Sequence, residues 1–172
     1  KKVEINRVNR ERKAKGLLTG FVAFFVTVMS VPNLVLAQGA GKVLDFDGTN
    51  DYVSVGNPVD LRVTTNLTVE AWVKPAADNL NDKGIVAKWQ AAGYMLYMAS
   101  GKVRFYVTSA WVESTITLSQ GKWYHLAGVY NGSTKAIYII GVLDNSNEQT
   151  SINIVHDDFE IGTYQSRTQS RF

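Results

Sequence analysis

The stretch Lys122–Leu143, KWYHLAGVYNGSTKAIYIIGVL, decides the reading of the chain. Its first arm, Lys122–Tyr130, is rich in aromatic and β-branched residues, which suit a pleated, half-buried strand. Trp123, His125, Ala127 and Val129 fall on one face of that strand, and Tyr124, Leu126, Gly128 and Tyr130 on the other. Asn131-Gly132-Ser133 supplies the positive-φ residues of a hairpin turn. The return arm, Ala136–Val142, is apolar on both faces, which places it inside a sheet. Gly141 near its end marks a second turn or a bulge. The hairpin is the centre of an all-β core.

Working outward, the totals narrow the function classes. A chain of 172 residues with 45% hydrophobic content can bury one core. It has no cysteine, which excludes a disulfide framework, a thiolate metal site and a cysteine nucleophile. The net charge of +3 is unevenly spread. Residues 1–37 hold seven basic and two acidic residues, whereas the remainder holds 11 and 13. The high pI of about 9.1 therefore comes from the N-terminal segment, and it gives no argument for a nucleic-acid partner.

That segment has its own logic. Residues 1–16 are basic without apolar periodicity, and residues 17–37, LLTGFVAFFVTVMSVPNLVLA, are almost free of charge. With Pro32 and Asn33 ahead of Ala37-Gln38, the arrangement reads as a signal peptide over 1–37, with a helical apolar core at Leu17–Val31 and cleavage after Ala37. A signal anchor is the alternative, because 21 residues can span a bilayer. In that case the uncleaved segment is the chain's one membrane contact. Export implies a secreted, extracellular or cell-surface protein. The chain opens on Lys1 rather than Met, which reads as a sequence cut short at its N-terminus, and the final IGTYQSRTQSRF reads as cut short too.

From Gln38 the texture changes to short strands separated by turn residues. Strands are expected at Lys42–Phe46, Tyr52–Val55, Leu67–Lys74, Ile85–Lys88, Tyr94–Ala99, Val103–Thr108, Ser114–Leu118, Trp123–Tyr130, Lys135–Val142 and Phe159–Gly162. No later window carries helical periodicity. Short connections favour antiparallel neighbours, and this many strands favours two packed sheets over one.

Six segments then come in a telling order: LDFDGTNDYVSVG (Leu44–Gly56), LTVEAWVKP (Leu67–Pro75), IVAKW (Ile85–Trp89), GYMLYMASGKVRFYV (Gly93–Val107), the hairpin from Gly121, and FEIGTY (Phe159–Tyr164). As an ordered set they resemble the laminin-G-like, pentraxin-like jelly-roll domains of the concanavalin A-like lectin/glucanase superfamily. The resemblance covers about Lys42–Phe172. It implies a two-sheet antiparallel jelly-roll β-sandwich over 38–172 that binds a ligand without catalysis, most plausibly carbohydrate, with calcium assisting. Two departures stand out. The family has Asn where Ile140 precedes Gly141, which implies a looser turn. A last strand that in such folds lies beside the N-terminal strand is missing, which implies an unpaired apolar edge near Lys42–Phe46 and Leu67–Lys74, with lower stability and aggregation.

The residues that could carry chemistry are few. Asp47-Gly48-Thr49-Asn50-Asp51 clusters oxygen ligands on a tight loop, so Asp47, Asn50 and Asp51 are candidate calcium ligands. The same loop also reads as an Asx turn whose carboxylates bond its own backbone. Asp157, Asp158 and Glu160 read as a solvated turn, and Asp144–Glu148 as a polar surface loop. Glu70, Glu113, Glu148 and Glu160 all lack acids at i+2 and i+5, so the E-x-D-x-x-E strand of glucanases is absent. No zinc signature and no G-x-S-x-G elbow occurs. His125 reads as a core residue with a bonded ring. Trp89, Tyr94, Tyr106 and Trp111 are candidate stacking platforms for sugar rings, with Trp111 the best placed for exposure. Trp72 and Trp123 read as packing residues. Three functions stay open: carbohydrate binding, a structural or adhesive module that binds an extracellular protein, and an accessory domain of a larger secreted enzyme. Fold alone does not separate them.

Overall fold

A computed structural model describes residues 21–24, 43–78, 80–89, 92–149, 151–153 and 155–164. Among the described residues, twelve strands run β1 (Phe21–Phe24), β2 (Leu44–Asp45), β3 (Val53–Gly56), β4 (Leu67–Lys74), β5 (Lys83–Trp89), β6 (Gly93–Ala99), β7 (Lys102–Val107), β8 (Ala110–Glu113), β9 (Tyr124–Tyr130), β10 (Thr134–Ile139), β11 (Val142–Glu148) and β12 (Phe159–Ile161), with one 3-10 turn at Val59–Leu61. They form two six-stranded antiparallel sheets, ordered β11-β10-β9-β4-β1-β2 and β3-β12-β5-β6-β7-β8. The expected sandwich is therefore present.

The central hairpin behaves as its alternation demands. Leu126 and Tyr130 of β9 are buried, and Ile137 and Ile139 of β10 meet them across the register pairs Gly128↔Ile137 and Leu126↔Ile139. From the second sheet, Leu96, Met98, Val103, Phe105, Val107 and Val112 complete the core. Gly128 faces Phe105 at the centre. A Cβ there would stand 2.4 Å from the Phe105 ring, so the glycine is what lets the two sheets close on that ring. Each fully buried Leu or Phe side chain contributes about 1.5–3 kcal/mol of transfer free energy, and this shared layer holds the sheets together.

Several strand expectations are corrected. The return arm is not one strand through Val142. Ile140 (φ 50°) and Gly141 (φ 76°) form a two-residue turn, both in the left-handed region, and β11 follows. Asn is absent, yet the turn closes, with the β-branched Ile140 carrying the strain. Asp144–Glu148 is thus the outer strand of the first sheet and not a loop. Its polar side chains suit an edge, and three of them reach β8 and the segment after it. Asn145 Nδ2 donates to the Glu113 carbonyl at 2.9 Å, Asn147 Nδ2 donates to the Trp111 carbonyl at 2.9 Å, and Asp144 accepts from the Thr115 backbone N–H at 2.6 Å. The strand expected at Ser114–Leu118 lies earlier, at Ala110–Glu113, because Thr108 adopts φ 57° and turns β7 straight into β8 with Val107 opposite Ala110. No Gly or Asn announces that turn.

The expected helix at Leu17–Val31 is not what forms where the segment is described. Phe21–Phe24 is a strand, lying between β2 and β4. Phe, Val and Ala in sequence accept an extended conformation readily, and two strands flank it. The edge expected to stay unpaired near Leu44 and Lys74 is occupied: Phe21 pairs with both Asp45 and Lys74, and Val22 with Leu44 and Val73. The rest of the signal segment, including Ala37-Gln38, lies outside the described residues.

Candidate functional site

Alternation on β5–β8 sorts each strand's residues to two faces. On β7, Val103, Phe105 and Val107 are buried in the core, which sends Lys102, Arg104 and Tyr106 to the outside of the second sheet. On β8, Val112 points in, while Trp111 and Glu113 point out. On β6, Tyr94, Leu96 and Met98 point in, and Met95, Tyr97 and Ala99 point out. The register then places Tyr106 opposite both Met95 and Trp111.

The result is a continuous run of rings. Trp89 meets Tyr106 edge-on at 5.2 Å, Tyr106 lies 5.4 Å from Trp111, Tyr97 stands 6.0 Å from Tyr106, and Tyr97 stands 5.2 Å from Tyr164. Such distances are those of favourable tilted and edge-to-face pairs, so the rings brace one another. Trp111 remains 45% exposed. At one end, the Asp82 carboxylate accepts hydrogen bonds from both Tyr97 (2.6 Å) and Tyr164 (2.5 Å). Burial, and then the Asp82 hydrogen bond, push the Tyr97 phenol far above its ordinary range. At the other end, Arg104 lies 5.2 Å over the Trp111 ring while its Nε pairs with Glu113 at 2.7 Å, and Lys102 approaches Glu113 at 3.6 Å. Ala87, Met95, Tyr97 and Ala99 are buried on this face and Trp89, Tyr106 and Tyr164 half-buried, so Trp111 is the ring of the run that stands open, with Arg104 and Glu113 beside it.

Three of the four expected stacking residues, Trp89, Tyr106 and Trp111, therefore sit together. Tyr94 does not belong with them. It is 2% exposed on the opposite face, its ring 6.4 Å from Phe159 and its hydroxyl bonded to the Leu61 carbonyl at 3.0 Å. Along β6, Tyr94 and Tyr97 are three apart, and an odd spacing puts them on opposite faces. Sequence reasoning missed Tyr97, Tyr164, Asp82 and Arg104. Arg104 was signalled by the Val103–Phe105–Val107 alternation. Tyr97 was hidden because every residue of β6 is buried.

The Asp47–Asp51 loop has a different geometry. Asp47 Oδ1 accepts from the Thr49 N–H (2.7 Å) and the Asn50 N–H (3.2 Å), and Asp51 Oδ2 accepts from the Asp47 N–H at 3.2 Å. These are Asx-turn bonds, which spend carboxylate lone pairs on the loop's own backbone. Asn50 is exposed. Among the described residues, no group of three or more acidic or histidine side chains is arranged to hold a metal. Burial, and then the charges of Asp51 and Asp47, raise the Asp45 carboxyl above its ordinary value.

Other expectations shift as well. Trp72 and Trp123 are 38% and 39% exposed, so neither is a core packing residue. Trp72 meets the His125 ring at 5.3 Å, and His125 Nε2 lies 3.4 Å from Glu70. His125 is thus half-buried on that outward face and bonded, not in the core. Glu160 is 7% exposed within β12, not in a solvated turn. Beside it, the fully buried Lys88 bonds Asn57 Oδ1 at 2.8 Å and the Asp157 carbonyl at 2.5 Å, with its ammonium pKa lowered chiefly by burial.

No curated protein matches the chain at significant similarity. Among solved structures, the binding domain of Paraclostridial Mosquitocidal Protein 1 aligns at 13% identity over 70% of this chain and 35% of that one, with a TM-score of 0.53. Domain 4 of AbnA, a GH43 extracellular arabinanase from Geobacillus stearothermophilus, in complex with arabinotriose, aligns at 16% identity over 70% of this chain and 62% of that one, with a TM-score of 0.50. Domains LG4-5 of the mouse laminin alpha1 chain align at 19% identity over 64% and 32%, with a TM-score of 0.49. The chain spans about a third of the first and last of these structures. A laminin G family model, described as the concanavalin A-like lectin/glucanases superfamily, matches residues 47–172. With most of both sheets inside that match, the chain belongs to the laminin G family of the concanavalin A-like superfamily.

Proposed function

We propose that this is a non-catalytic binding module of an exported protein, and that it holds carbohydrate on the outer face of β5–β8. The observation that carries the reading is the linked run of Trp89, Tyr106 and Trp111 with Tyr97 and Tyr164. Sugar rings present apolar C–H faces that stack on aromatic rings, and their hydroxyls need polar partners at the margins, where Arg104 stands beside Trp111. Both carboxylates near the run are committed within the protein, Asp82 to two phenols and Glu113 to Arg104 and Lys102. That arrangement suits orientation of a ligand better than proton transfer to a leaving group. Arabinotriose, held by the similar arabinanase domain, is a natural first probe. The reading needs no calcium, and secretion follows the signal segment.

The test is a nuclear magnetic resonance titration of the protein with arabinotriose and a panel of neutral oligosaccharides. Shifts confined to amides of β5–β8 support the site. Binding that moves only amides elsewhere, or no binding across the panel, overturns it. A second reading, protein adhesion, is favoured by one feature: Val142 and Leu143 are 69% and 53% exposed on the edge strand β11, where strand addition by a partner protein could start.

A further inference from the structure

A second exposed aromatic surface lies on the outer face of the first sheet, on the opposite side of the sandwich from Trp111. Val69, Ala71 and Val73 of β4 belong to the core, so Thr68, Glu70, Trp72 and Lys74 point outward. Leu126 and Tyr130 of β9 are core, so His125 and Ala127 point outward, with Trp123 just ahead of the strand on the same side. The register sets Trp72 opposite His125 and Glu70 opposite Ala127, and one step past Val73↔Tyr124 it sets Lys74 opposite Trp123. Tyr138 of β10 lies on the other side of Ala127, with Leu143 of β11 beyond it.

Eight large hydrophobic side chains are exposed among the described residues, and five of them, Trp72, Trp123, Ile140, Val142 and Leu143, stand on this sheet or at its strand ends. Apolar side chains gathered in this way mark an interaction surface, whereas scattered ones do not. The charges on the face indicate what covers it. Along the outward row of β4 a carboxylate, an indole and an ammonium follow at even spacing, Glu70, Trp72 and Lys74. Turned end for end about Trp72, this row is its own complement, because Lys74 of one copy falls on Glu70 of the other and the reverse. The same rotation carries Trp123 over Ala127, so a large ring meets a small side chain that is 7% exposed. The alternative, with the two β4 strands parallel, sets Lys74 against Lys74 and Glu70 against Glu70, and like charges so placed oppose association.

We propose that this face is the interface of a two-fold dimer, and that its occupant is a second copy of the chain. The two β4 strands run antiparallel across the interface, and the axis passes beside Trp72. Each contact of one residue with another is then repeated in reverse, as a closed two-fold interface requires. Sheets packed face to face stand about 10 Å apart, a gap that indole, lysine and glutamate side chains from both copies can fill. The two β5–β8 faces point away from each other and stay open. Bivalent capture of a repeating glycan is a consequence that rests on the sugar reading, whereas the interface itself does not.

The test is sedimentation equilibrium of the full chain, which should show a concentration-dependent species of twice the 19.0 kDa chain mass. Lys74→Glu and Glu70→Lys should each weaken association roughly tenfold or more through like-charge contacts. The chain carrying both substitutions should return close to the unaltered affinity, because the swapped row is again its own complement. Trp72→Ala, which alters no charge, should weaken association as much as either, and thermal unfolding by circular dichroism checks that each variant is folded. A chain that stays monomeric up to millimolar concentration, association that survives all three single substitutions, or a double variant as weak as the single ones would overturn the proposal.

Discussion

The outer face of β5–β8 and the Asp47–Asp51 loop both attract attention in the sequence, one for its aromatics and one for its acids. They differ in where their bonding capacity goes. In the loop, Asp47 and Asp51 point back at the Thr49, Asn50 and Asp47 N–H groups. On the sheet, Trp111 keeps 45% of its surface in solvent while Tyr106, Arg104 and the Asn147 side chain hold its ring or backbone in place. A group that has spent its lone pairs on its own turn is structural. A ring braced from behind and open in front is a surface for a ligand.

Perturbing the two regions should separate them. The largest effect is expected from Trp89→Ala combined with Trp111→Ala, which should weaken oligosaccharide binding at least tenfold, about 1.4 kcal/mol, measured by calorimetry. Asp47→Ala should lower unfolding free energy by about 1 kcal/mol through loss of its turn bonds, read by denaturant titration, and leave binding unchanged. Asn147→Ala removes the bond to the Trp111 carbonyl and should cost about 0.5–1 kcal/mol of stability, with a few-fold loss of binding as Trp111 loosens. Tyr97→Phe tests the pH profile. The Tyr97 phenol is raised by burial above its unfolded value of 10.0, so the folded chain keeps a proton that the unfolded chain releases. The stability this contributes is fully present below pH 10 and is lost as pH rises above it, so the Tyr97→Phe chain should decline less between pH 10 and 11. Lys88, whose pKa burial lowers, works in the opposite sense, but it is common to both chains and cancels in the difference. Smallest of all, millimolar calcium or a chelator should leave the melting temperature unmoved, measured by calorimetric scan.

The legible part of the fold was the part with two distinguishable faces. Lys122–Tyr130 shows alternation, and β9 buries Leu126 and Tyr130 as that alternation requires. What escaped had no such contrast. β6 is buried throughout, so Tyr94 and Tyr97 could not be assigned to faces, and one of the four expected platform residues proved to be core. The turn at Thr108 escaped because it adopts positive φ without a residue that favours it, whereas Gly141 marked the turn it shares with Ile140, and what escaped there was the strand β11 beyond it. Leaving Ile140 there costs about 1–2 kcal/mol, and it is 53% exposed, so Ile140→Asn should stabilise the chain, read as a rise in denaturant midpoint. β1 escaped for a different reason. Its residues suit either an apolar helix or a strand, and only the two neighbouring strands decide between them.

The most direct test is a paired calorimetric titration with the tightest-binding oligosaccharide of the panel. One chain carries Trp89→Ala and Trp111→Ala, the other Asp47→Ala and Asp51→Ala. The account predicts that the loop variant binds as the unaltered chain does and the aromatic variant loses at least tenfold, about 1.4 kcal/mol. Retained binding in the aromatic variant, with loss in the loop variant, would contradict it.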